Sequence, residues 1–506
     1  MKKTKALISV YNKTNLEFLA NCFIKNNIEI IATGGTLKSL QDKNIAATDV
    51  TTITNFPEML DGRVKTLHPN LFAGILFKRN ELQHQQTVAA HQIESIDFVV
   101  VNLYPFFEKQ KENLSHESLI EFIDIGGPSL LRAAAKNYFD VTVLTDVKDY
   151  ENIIEEINET KNTTLKTRKK LAAKVYNLTS AYDASIANYL NEEDFPKYFN
   201  ASYELKEVLR YGENPHQKAA VYTNLSEKEN INSWQQIQGK ELSYNNYRDI
   251  QAAKNVVNEF SIPTCCAVKH NTPCGVAIGE SDFDAYFKAY QADPISIFGG
   301  IVAFNTIVTQ ETAIMMNEIF LEVIIAPNFT TEALHVFSKK KNLRILEIAN
   351  TSSSKQSIVS INGGLLVQSK DDINAYTLSC VTEKQPTEEQ IKQLQFAQNI
   401  VKHCSSNAIV LVSNYTTVGI GSGQTSRINA LHQAIFQAKK NNVDLSNAVL
   451  ASDAFFPFDD IVKICAEYQI QAIIQPGGSI KDQDSINACN ENSIAMLFTG
   501  IRHFKH

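Results

Sequence analysis

The residues of this chain best suited to catalysis are a lysine and a histidine that stand side by side, Lys269 and His270. They end the apolar run AVKH, and the turn-forming sequence NTPCG follows them. A cation and an imidazole at the end of a buried strand can take up a proton and stabilise negative charge at one reacting group. Because a lone histidine is more often packed or solvated than catalytic, this doublet needs support from the rest of the chain.

A possible anion site lies in the first half of the chain, between a predicted strand and a predicted helix. It has the sequence Thr33-Gly34-Gly35-Thr36. Glycines at such a turn let backbone N–H groups approach an anion, and the start of a helix favours negative charge. The same four residues could also form nothing more than a tight turn.

A second basic motif, DGRVKTLHP, runs from Asp61 to Pro69. Pro69 disfavours helix in the residue before it, so the motif is predicted to be a loop or an extended segment. Arg63 and Lys65 are two positions apart and would point the same way on an extended chain. They could grip a phosphate or polarise a carbonyl; the alternative is a solvated loop with surface charges.

Further polar residues stand at the ends of predicted elements. Tyr104 follows the predicted strand Phe98–Asn102, and Asp124 precedes the predicted helix Pro128–Lys136. Ligands of open α/β sheets bind outside the carboxyl ends of the strands, which Tyr104 and Asp124 could reach. Lys136 is eight residues into its helix and would depend on the fold to bring it near.

The hydrophobic pattern predicts an α/β protein. Strands are predicted over Ala6–Val10, Glu29–Ala32, Phe98–Asn102 and Val141–Thr145, and helices over Leu16–Asn26 and Lys166–Asn188. Such alternation favours a parallel sheet covered on both faces. In the second half, the segments CCAVKH, IVAF, VIIAP, AIVLV, TVGIG, AVLAS and QAIIQP are further predicted strands, and the similar endings AVKHNTPCG and AIIQPGGS permit two lobes.

Length and composition limit the class of protein. The 506 residues carry a net charge of −7, which does not favour nucleic acid or an anionic membrane as a partner. No segment approaches the ~18 apolar residues of a membrane span, and the N-terminus lacks a signal-peptide pattern. The eight cysteines include no C-x-x-C pair, so we expect reduced thiols and a cytoplasmic protein.

Several motifs argue against common cofactors. The segment GIGSGQTSR lacks the glycine spacing of a dinucleotide loop, and the chain has no Walker A sequence, so NAD and ATP are not expected. His270 lacks the glutamate and the second cysteine of a zinc deaminase, so no metal is expected. The aromatic segment SDAFFPF could be core or could form a slot for a flat heterocycle.

Taken in order from Leu7 to His506, the motifs resemble the PurH family of bifunctional purine biosynthesis proteins. The motifs that carry the resemblance are GGT, GRVKTLHP, NLYPF, DIGG, RAAAKN, LRYGENPHQ, VKHNTPCG, DPISIFGG, SKKKN, SNAIV, GIGSGQTSR, SDAFFPF and RHFKH. The resemblance implies a methylglyoxal-synthase-like parallel-sheet domain followed by a two-lobed, cytidine-deaminase-like domain. With the polar region Glu192–Tyr203 as boundary, we expect a cyclohydrolase domain over 1–195 and a formyltransferase domain over 203–506, whose lobes divide near 380.

The implied function is the last two steps of IMP biosynthesis. The first step moves a formyl group from 10-formyltetrahydrofolate to aminoimidazole carboxamide ribonucleotide (AICAR), which gives FAICAR and tetrahydrofolate. The second closes the ring of FAICAR to IMP with loss of water. The resemblance also implies a homodimer whose transferase sites form across the interface. The alternatives from other classes are a zinc-free deaminase-like enzyme and a protein that merely binds a phosphorylated nucleotide.

For formyl transfer we interpret His270 as the general base. By resemblance, Lys269 protonates the folate leaving nitrogen and Asn407 holds the formyl oxygen. The substrate-binding residues implied in the second half are Arg210, Tyr211, Phe298, Gly299, Glu322, Lys341, Arg427, Phe458, Asp460 and Arg502.

For ring closure, Lys65 and Tyr104 are the candidates that polarise the formyl carbonyl and move protons, and Asp124 and Lys136 would handle the amide proton. The substrate-binding residues implied in the first half are Ser9, Lys13, Thr33, Gly34, Gly35, Thr36, Arg63, Thr66, Asn102 and Gly126. One position departs from the family pattern, roughly S-V-S-D-K-T, because Tyr11 replaces a small hydroxyl residue.

Overall fold

The structure is a computed structural model that describes residues 4–60, 63–225, 227, 230–349 and 355–506. Asp61 and Gly62, which begin the DGRVKTLHP motif, lie outside these residues. The chain divides into two compact units. Unit 1 comprises Met1–Glu204 with Asn224–Ser226, and unit 2 comprises Leu205–Thr223 with Glu227–His506.

Unit 1 is built on a five-stranded sheet in which all four neighbouring pairs are parallel. Its strands are β1 (Thr4–Val10), β2 (Ile28–Ala32), β3 (Thr48–Asp49), β4 (Phe98–Asn102) and β5 (Thr142–Leu144). The central strands are apolar and buried almost throughout, as a parallel sheet covered on both faces requires. The predicted parallel sheet is confirmed.

The helices of unit 1 cover this sheet. They are α1 (Leu16–Lys25), α2 (Gly34–Gln41), α3 (Val50–Thr54), α4 (Pro69–Leu76), α5 (Leu82–Ala90), α6 (Phe106–Lys109), α7 (His116–Ile120), α8 (Gly126–Lys136), α9 (Tyr150–Thr160) and α10 (Leu165–Leu190), with a 3-10 turn over Val147–Asp149. Helix α8 begins two residues before the predicted start at Pro128. Asp124, which lies just before the helix, accepts a hydrogen bond of 2.7 Å through Oδ1 from the N–H of Gly127 and so satisfies one donor of the first turn.

The strand order places a crevice at the centre of the unit 1 sheet. The order is β3-β2-β1-β4-β5, so the chain leaves β1 in one direction and later returns on its other side as β4. Val10 and Asn102 pair at the carboxyl ends of these two strands. Ligands of open α/β sheets bind at such a reversal point, because the connections on its two sides diverge.

Unit 2 contains one continuous sheet of twelve strands and two separate two-stranded sheets, of which the first also includes Tyr203, Glu204 and Asn224 of unit 1. In chain order the strands are β6 (Tyr203–Leu209), β7 (Ala219–Asn224), β8 (Gln235–Gln238), β9 (Thr264–Lys269), β10 (Thr272–Ile278), β11 (Ile301–Phe304), β12 (Val323–Ala326), β13 (Arg344–Glu347), β14 (Gln356–Ile361), β15 (Gly364–Ser369), β16 (Ser379–Cys380), β17 (Ile409–Ser413), β18 (Thr416–Gly421), β19 (Val449–Ser452), β20 (Ala472–Gln475) and β21 (Ala495–Phe498). The seven strands predicted in the second half all occur.

The helices of unit 2 lie on both faces of the twelve-stranded sheet. They are α11 (Tyr244–Val257), α12 (Asp282–Ala292), α13 (Gln310–Met316), α14 (Thr331–Phe337), α15 (Glu388–Val401), α16 (Arg427–Lys440), α17 (Asp460–Glu467) and α18 (Asp482–Glu491), with a 3-10 turn over Ile231–Ser233. Helices α11 and α15 share one core, whereas α12–α14 and α16–α18 pack in two separate cores.

The large sheet consists of two halves with the same topology, which we call lobe 1 and lobe 2. The strand order is β16-β21-β20-β19-β17-β18 followed by β10-β9-β11-β12-β13-β8, so each lobe mirrors the other in connectivity. In both lobes an edge strand and a helix precede an antiparallel hairpin, after which three helix–strand units complete the lobe. The lobes join where β10 and β18 pair in antiparallel orientation. The predicted two-lobed architecture is therefore confirmed.

The correspondence between the lobes extends to single residues. Between β8 and β10, each residue of lobe 1 matches the residue 144 positions further along, as Glu259 matches His403. Helix α11 begins with a capping box of Ser243 and Asn246, and α15 begins with the same device at the matching residues Thr387 and Gln390. A duplicated scaffold can thus be compared position by position.

Candidate functional sites

A cavity of about 520 Å³ opens at the reversal point of the unit 1 sheet. We call it the unit 1 cavity. The predicted residues that line it are Ser9, Lys13, Thr33, Gly35, Thr36, Arg63, Lys65, Thr66, Asn102, Tyr104, Asp124 and Gly126. They come from the carboxyl ends of three adjacent strands and from the loops that follow, so segments far apart in sequence converge on one site.

The hydroxyl groups around the start of α2 bond mainly to one another and to the backbone. Thr33 donates from Oγ1 to Ser9 Oγ at 2.9 Å. The Thr36 hydroxyl is buried and accepts a hydrogen bond of 3.0 Å from the N–H of Val10. Thr36 therefore ties α2 to β1, and its own N–H closes the first turn of α2 by donating to the carbonyl of Thr33 at 2.8 Å. Gly35, also in this turn, lines the unit 1 cavity, and the start of a helix favours an anion.

Asn102 holds the loop that follows β1. Its Oδ1 accepts hydrogen bonds from the N–H groups of Tyr11 (2.7 Å) and Asn12 (2.8 Å), and its Nδ2 donates to the Asn12 carbonyl. This clamp presents Tyr11 and Lys13 to the unit 1 cavity. The rings of Tyr11 and Tyr104 meet edge to face with centroids 5.8 Å apart, so Tyr11 forms a wall beside Tyr104.

Asp124 is a carboxyl residue of this cavity that is held through both its side chain and its backbone. Its N–H donates to the hydroxyl of Tyr182, at 2.8 Å, and that hydroxyl donates to the carbonyl of Phe122. Burial raises the pKa of Asp124, although hydrogen bonds from the backbone of Gly127 and Tyr104 and the charge of Lys65 act in the opposite direction. A carboxyl group in this environment is suited to exchange a proton with a bound substrate.

Two predicted residues of the first half do not line the unit 1 cavity. Gly34 is the first residue of α2 but lies outside the lining set. Lys136 is exposed at the C-terminal end of α8, whereas Gly126 at the other end lines the cavity. At 1.5 Å per residue the two ends of this helix are roughly 15 Å apart. Arg63 is at the cavity and forms an ion pair with Glu121, a lining residue that the sequence reading missed.

A second cavity, of about 720 Å³, lies at the edge of lobe 1 where β9 ends. We call it the lobe 1 cavity. The predicted residues that line it are Arg210, Tyr211, Lys269, His270, Phe298, Gly299 and Glu322. Seven further lining residues carry polar side chains and were not predicted from the sequence: Lys240, Glu241, Ser243, Asn245, Asn246, Asp249 and Arg344.

His270 and Asn271 form the two-residue turn between β9 and β10. Both residues have positive φ, 53° and 61°, as a turn of type I′ requires. Asp249 on α11 accepts a hydrogen bond of 2.7 Å from the N–H of Asn271. Beside the turn, Lys269 donates from Nζ to the carbonyl of Phe298 at 2.8 Å, which fixes the direction of its ammonium group.

The missed residues shape the cavity from elements without a recognisable motif. Asn246 belongs to the capping box of α11 and donates from Nδ2 to Glu322 Oε2 at 2.9 Å. Arg344 begins β13 and donates from Nε to the carbonyl of Glu241. The sequence signal that could have identified Asn246 is the S-x-x-N capping pattern. For Arg344 there is no such signal, because it follows a lysine-rich turn from which Lys341 was predicted instead.

The other predicted residues of the second half do not line the lobe 1 cavity of the same chain. Lys341 is exposed in the turn before β13. The remaining five belong to lobe 2: Asn407, Arg427, Phe458, Asp460 and Arg502. Asn407 donates from Nδ2 to the carbonyl of Gln424 at 3.0 Å, and the Arg502 guanidinium lies 4.7 Å from the centre of the Phe504 ring.

Arg427 is engaged inside the protein. Its guanidinium donates to Asp453 at 2.6 Å and to the Ser452 hydroxyl at 2.9 Å, and all three side chains are buried. Asp453 also accepts a hydrogen bond of 2.5 Å from Ser406, the residue before Asn407. In this structure Arg427 supports the segment that carries Asn407 and does not face a described cavity.

Two family models match the chain. An MGS-like domain matches residues 15–129, and the AICARFT/IMPCHase bienzyme model matches residues 134–437, more than half of the sequence. The chain belongs to the AICARFT/IMPCHase bienzyme family.

Curated relatives agree with this assignment over their full length. The bifunctional purine biosynthesis protein PurH of Fusobacterium nucleatum is 52% identical over 504 residues, with 100% of both chains covered. The proteins of the same description from Clostridium botulinum strain Eklund 17B and Clostridium perfringens strain ATCC 13124 are 51% and 52% identical over 506 residues, again with 100% of both chains covered.

Membership of the AICARFT/IMPCHase bienzyme family confirms the predicted function. The chain is a bifunctional formyltransferase and cyclohydrolase that catalyses the last two steps of IMP biosynthesis. The alternative of a zinc-free deaminase-like or nucleotide-binding protein is not favoured. All eight cysteines are free thiols. Across the described part of the chain, we find no cluster of three metal-binding side chains and no helix able to span a membrane.

Proposed function

We propose that the two activities reside in the two cavities, ring closure in the unit 1 cavity and formyl transfer at the lobe 1 cavity. One observation supports this division: twelve of the residues predicted for ring closure line the unit 1 cavity, whereas seven of those predicted for formyl transfer, Lys269 and His270 among them, line the lobe 1 cavity. Each cavity combines cationic groups for a nucleotide substrate with a titratable group for proton transfer.

For ring closure, the ribonucleotide phosphate would lie at the start of α2, near Lys13 and Ser9. Lys65 and Tyr104 would then polarise the formyl carbonyl of FAICAR. The amide nitrogen attacks this carbon, the new C–N bond forms, and the amide proton passes to Asp124. The former carbonyl oxygen takes up two protons and leaves as water, while the formamide nitrogen gives up its proton and forms a double bond to the former formyl carbon. The raised pKa of Asp124 supports this role, because a carboxyl group whose pKa lies above its ordinary value accepts a proton more readily and can return it later.

For formyl transfer we propose 10-formyltetrahydrofolate as the donor. The amine of AICAR attacks the formyl carbon while His270 accepts the amine proton. The bond between the formyl carbon and the folate nitrogen then breaks, and Lys269 supplies a proton to that nitrogen. Because the amine is a weak nucleophile, fixed alignment of the two substrates would supply much of the rate.

We further propose that a second copy of the chain completes the transferase site. Lys269 and Ile409 are level across the sheet, but β10 and β18 lie between their strands. At ~4.8 Å per strand, the strands that carry His270 and Asn407 are roughly 14 Å apart. This gap exceeds what the two side chains can span toward one formyl group, so Asn407 would act on the lobe 1 cavity of the other subunit.

An intersubunit complementation experiment tests these assignments. His270→Ala and Asn407→Ala are each expected to lose formyl transfer and to keep ring closure of supplied FAICAR. Lys65→Met is expected to do the reverse. When the first two variants are mixed and allowed to exchange subunits, each mixed dimer has one intact transferase site, so about a quarter of parental activity should return.

The outcomes separate the proposals. If mixing restores no activity although subunits exchange, Asn407 does not act across an interface. If His270→Ala also abolishes ring closure in a folded protein, the division between the two cavities is wrong.

A further inference from the structure

The hairpin turn that carries His270 is held by a charged group, although the same turn in lobe 2 is held by a neutral one. We propose that Asp249 is a positioning residue for formyl transfer: its carboxylate fixes the His270–Asn271 turn and favours the protonated form of the imidazole. This proposal rests on the proposed role of His270 as the base.

The first step of the argument is the geometry of the turn. Asp249 accepts the N–H of Asn271 at 2.7 Å. With its amide oriented to satisfy its neighbours, Asn271 also donates from its side chain to Asp249 at 3.3 Å and to the carbonyl of Arg248 at 3.1 Å. The two turn residues with positive φ are thereby tied to α11, and the direction of the His270 side chain is set by that helix.

The second step is the comparison with lobe 2. The residue matching Asp249 is Gln393, and the turn matching His270–Asn271 is Asn414–Tyr415, also with positive φ at both positions. Gln393 accepts the N–H of Asn414 through Oε1 at 2.9 Å. A neutral amide oxygen therefore holds the lobe 2 turn through the N–H of its first residue, whereas the Asp249 carboxylate holds the lobe 1 turn through the N–H of its second residue. The two anchors thus differ in charge as well as in the donor that they bind.

The third step concerns the cost of burying the negative charge of the Asp249 carboxylate. Burial raises the pKa of Asp249, which means that the environment disfavours the carboxylate; the Asn271 and His270 backbone and the charge of a protonated His270 oppose this effect. An amide would avoid the cost. The two lobes differ in the turn residue itself, an imidazole in lobe 1 and an amide in lobe 2, and an imidazolium is the group that benefits from a nearby carboxylate.

Other charged groups also surround His270 and contribute to its protonation. On α11 the neighbour of Asp249 is Arg248, which is ion-paired with Glu213. The titratable and charged residues that line the lobe 1 cavity besides Asp249 and His270 are Arg210, Tyr211, Lys240, Glu241, Lys269, Glu322 and Arg344. Most of these groups are cationic, so Asp249 is one of the few negatively charged groups near the turn.

The test compares Asp249→Asn with Gln393→Ala in the full-length enzyme. Asparagine keeps an acceptor for the turn and removes the charge. We expect the acid limb of the kcat profile for formyl transfer to move to lower pH by roughly half to one unit. The plateau should fall by no more than about three- to tenfold, because the base becomes weaker by that amount. The KM for AICAR should change less than about threefold, since the change acts on proton transfer. Gln393→Ala should leave the profile in place.

Ring closure of supplied FAICAR serves as the folding control for both variants. An unchanged pH profile in Asp249→Asn would overturn the proposal, and so would an equal shift in Gln393→Ala. Asp249→Glu, which restores the charge, should restore the position of the acid limb. Failure of the underlying assignment is distinguishable, because His270→Ala would then retain formyl transfer whatever Asp249 does.

Discussion

Lobe 1 and lobe 2 share one topology but differ in chemistry at matching positions. Around the lobe 1 cavity stand Lys269, His270, Asp249, Glu322 and Arg344. The strand registers identify the corresponding residues of lobe 2, which are, in the same order, Ser413, Asn414, Gln393, Gln471 and Ala495. Every charged or titratable group of the set has a neutral counterpart. The scaffold therefore supplies a place for a site, and the side chains alone decide whether that place is reactive.

The largest expected effect comes from giving lobe 1 the turn of lobe 2. The double substitution Lys269→Ser with His270→Asn should lower kcat for formyl transfer by at least ~10³-fold, because the base and the proton donor are both lost. Its free energy of unfolding should stay within ~1 kcal/mol of the parent, since an asparagine tolerates the left-handed turn conformation. Steady-state kinetics and urea denaturation measure the two quantities.

The control for this exchange is the reverse change, Ser413→Lys with Asn414→His, which should leave formyl transfer unaltered. Substantial transferase activity in the lobe 1 variant would show that the charged turn is not what distinguishes the lobes.

The second largest expected effect concerns the ion pairs of Glu259 in lobe 1, whose matching residue in lobe 2, His403, is one of its own partners. Glu259 accepts hydrogen bonds from His403 Nε2 and lies within 2.8 Å of Lys402 Nζ, whose side chain is only 1% exposed. Burial would raise the pKa of Glu259, but hydrogen bonds and charges from His403 and Lys402 outweigh it and hold the pKa below its ordinary value. Lys402→Met should therefore cost about 3 kcal/mol of unfolding free energy at neutral pH.

The pH dependence of this loss has a defined sign. A carboxyl with a depressed pKa in the folded state stabilises the protein above its unfolded pKa, and this contribution disappears as pH falls through the folded value. The difference between parent and Lys402→Met should thus shrink below pH ~4. Lys392→Met, at an exposed position on α15, is the matched control and should cost little. A difference that persists unchanged at acid pH would argue against the ion pair as its source.

The smallest effect distinguishes the helix–strand contacts of the lobes. A Cβ at Gly421 on β18 would overlap the carbonyl of Ala430 on α16, so this helix lies very close to the sheet. The matching residue in lobe 1 is Ala277, where a side chain is already accommodated. Gly421→Ala should lower the free energy of unfolding by about 2 kcal/mol, whereas Ala277→Gly should cost under ~1 kcal/mol. Equal costs in a denaturation experiment would contradict a closer approach of helix to strand at this one matching position of lobe 2.

These contacts also explain why the function of the GIGSGQTSR motif could not be predicted fully from the sequence. The glycines of GIGSGQTSR suggested a ligand loop at first sight, but Gly419 and Gly421 are required by the approach of α16 to β18. Arg427, in the same motif, is bonded to Asp453. The same glycine motif can result from ligand binding or from close packing of a helix, and the sequence alone does not distinguish the two causes.

Most of the fold could be predicted because apolar runs and turn residues mark the strands directly. The unit 1 cavity could be predicted as well, since its residues follow strand ends that must meet at one edge of a parallel sheet. Asp249 could not, because it lies within a regular helix and gains its role only when α11 packs beside the β9–β10 turn. Lys136 shows the converse, because its position at the far end of α8 follows from helix geometry that no motif expresses.

The contact between the lobes, at which Glu259 meets Lys402 and His403, also has a consequence for the order of folding during synthesis. The strands of lobe 1 lie between Gln235 and Glu347, and those of lobe 2 begin at Ser379, so lobe 1 can assemble from local contacts while lobe 2 is still on the ribosome. At that stage the partners of Glu259 have not yet been made, and its carboxylate must remain hydrated. Once Lys402 and His403 have been synthesised, they can pair with Glu259 and the two lobes can join. Lobe 1 of the duplicated sheet would therefore form before lobe 2.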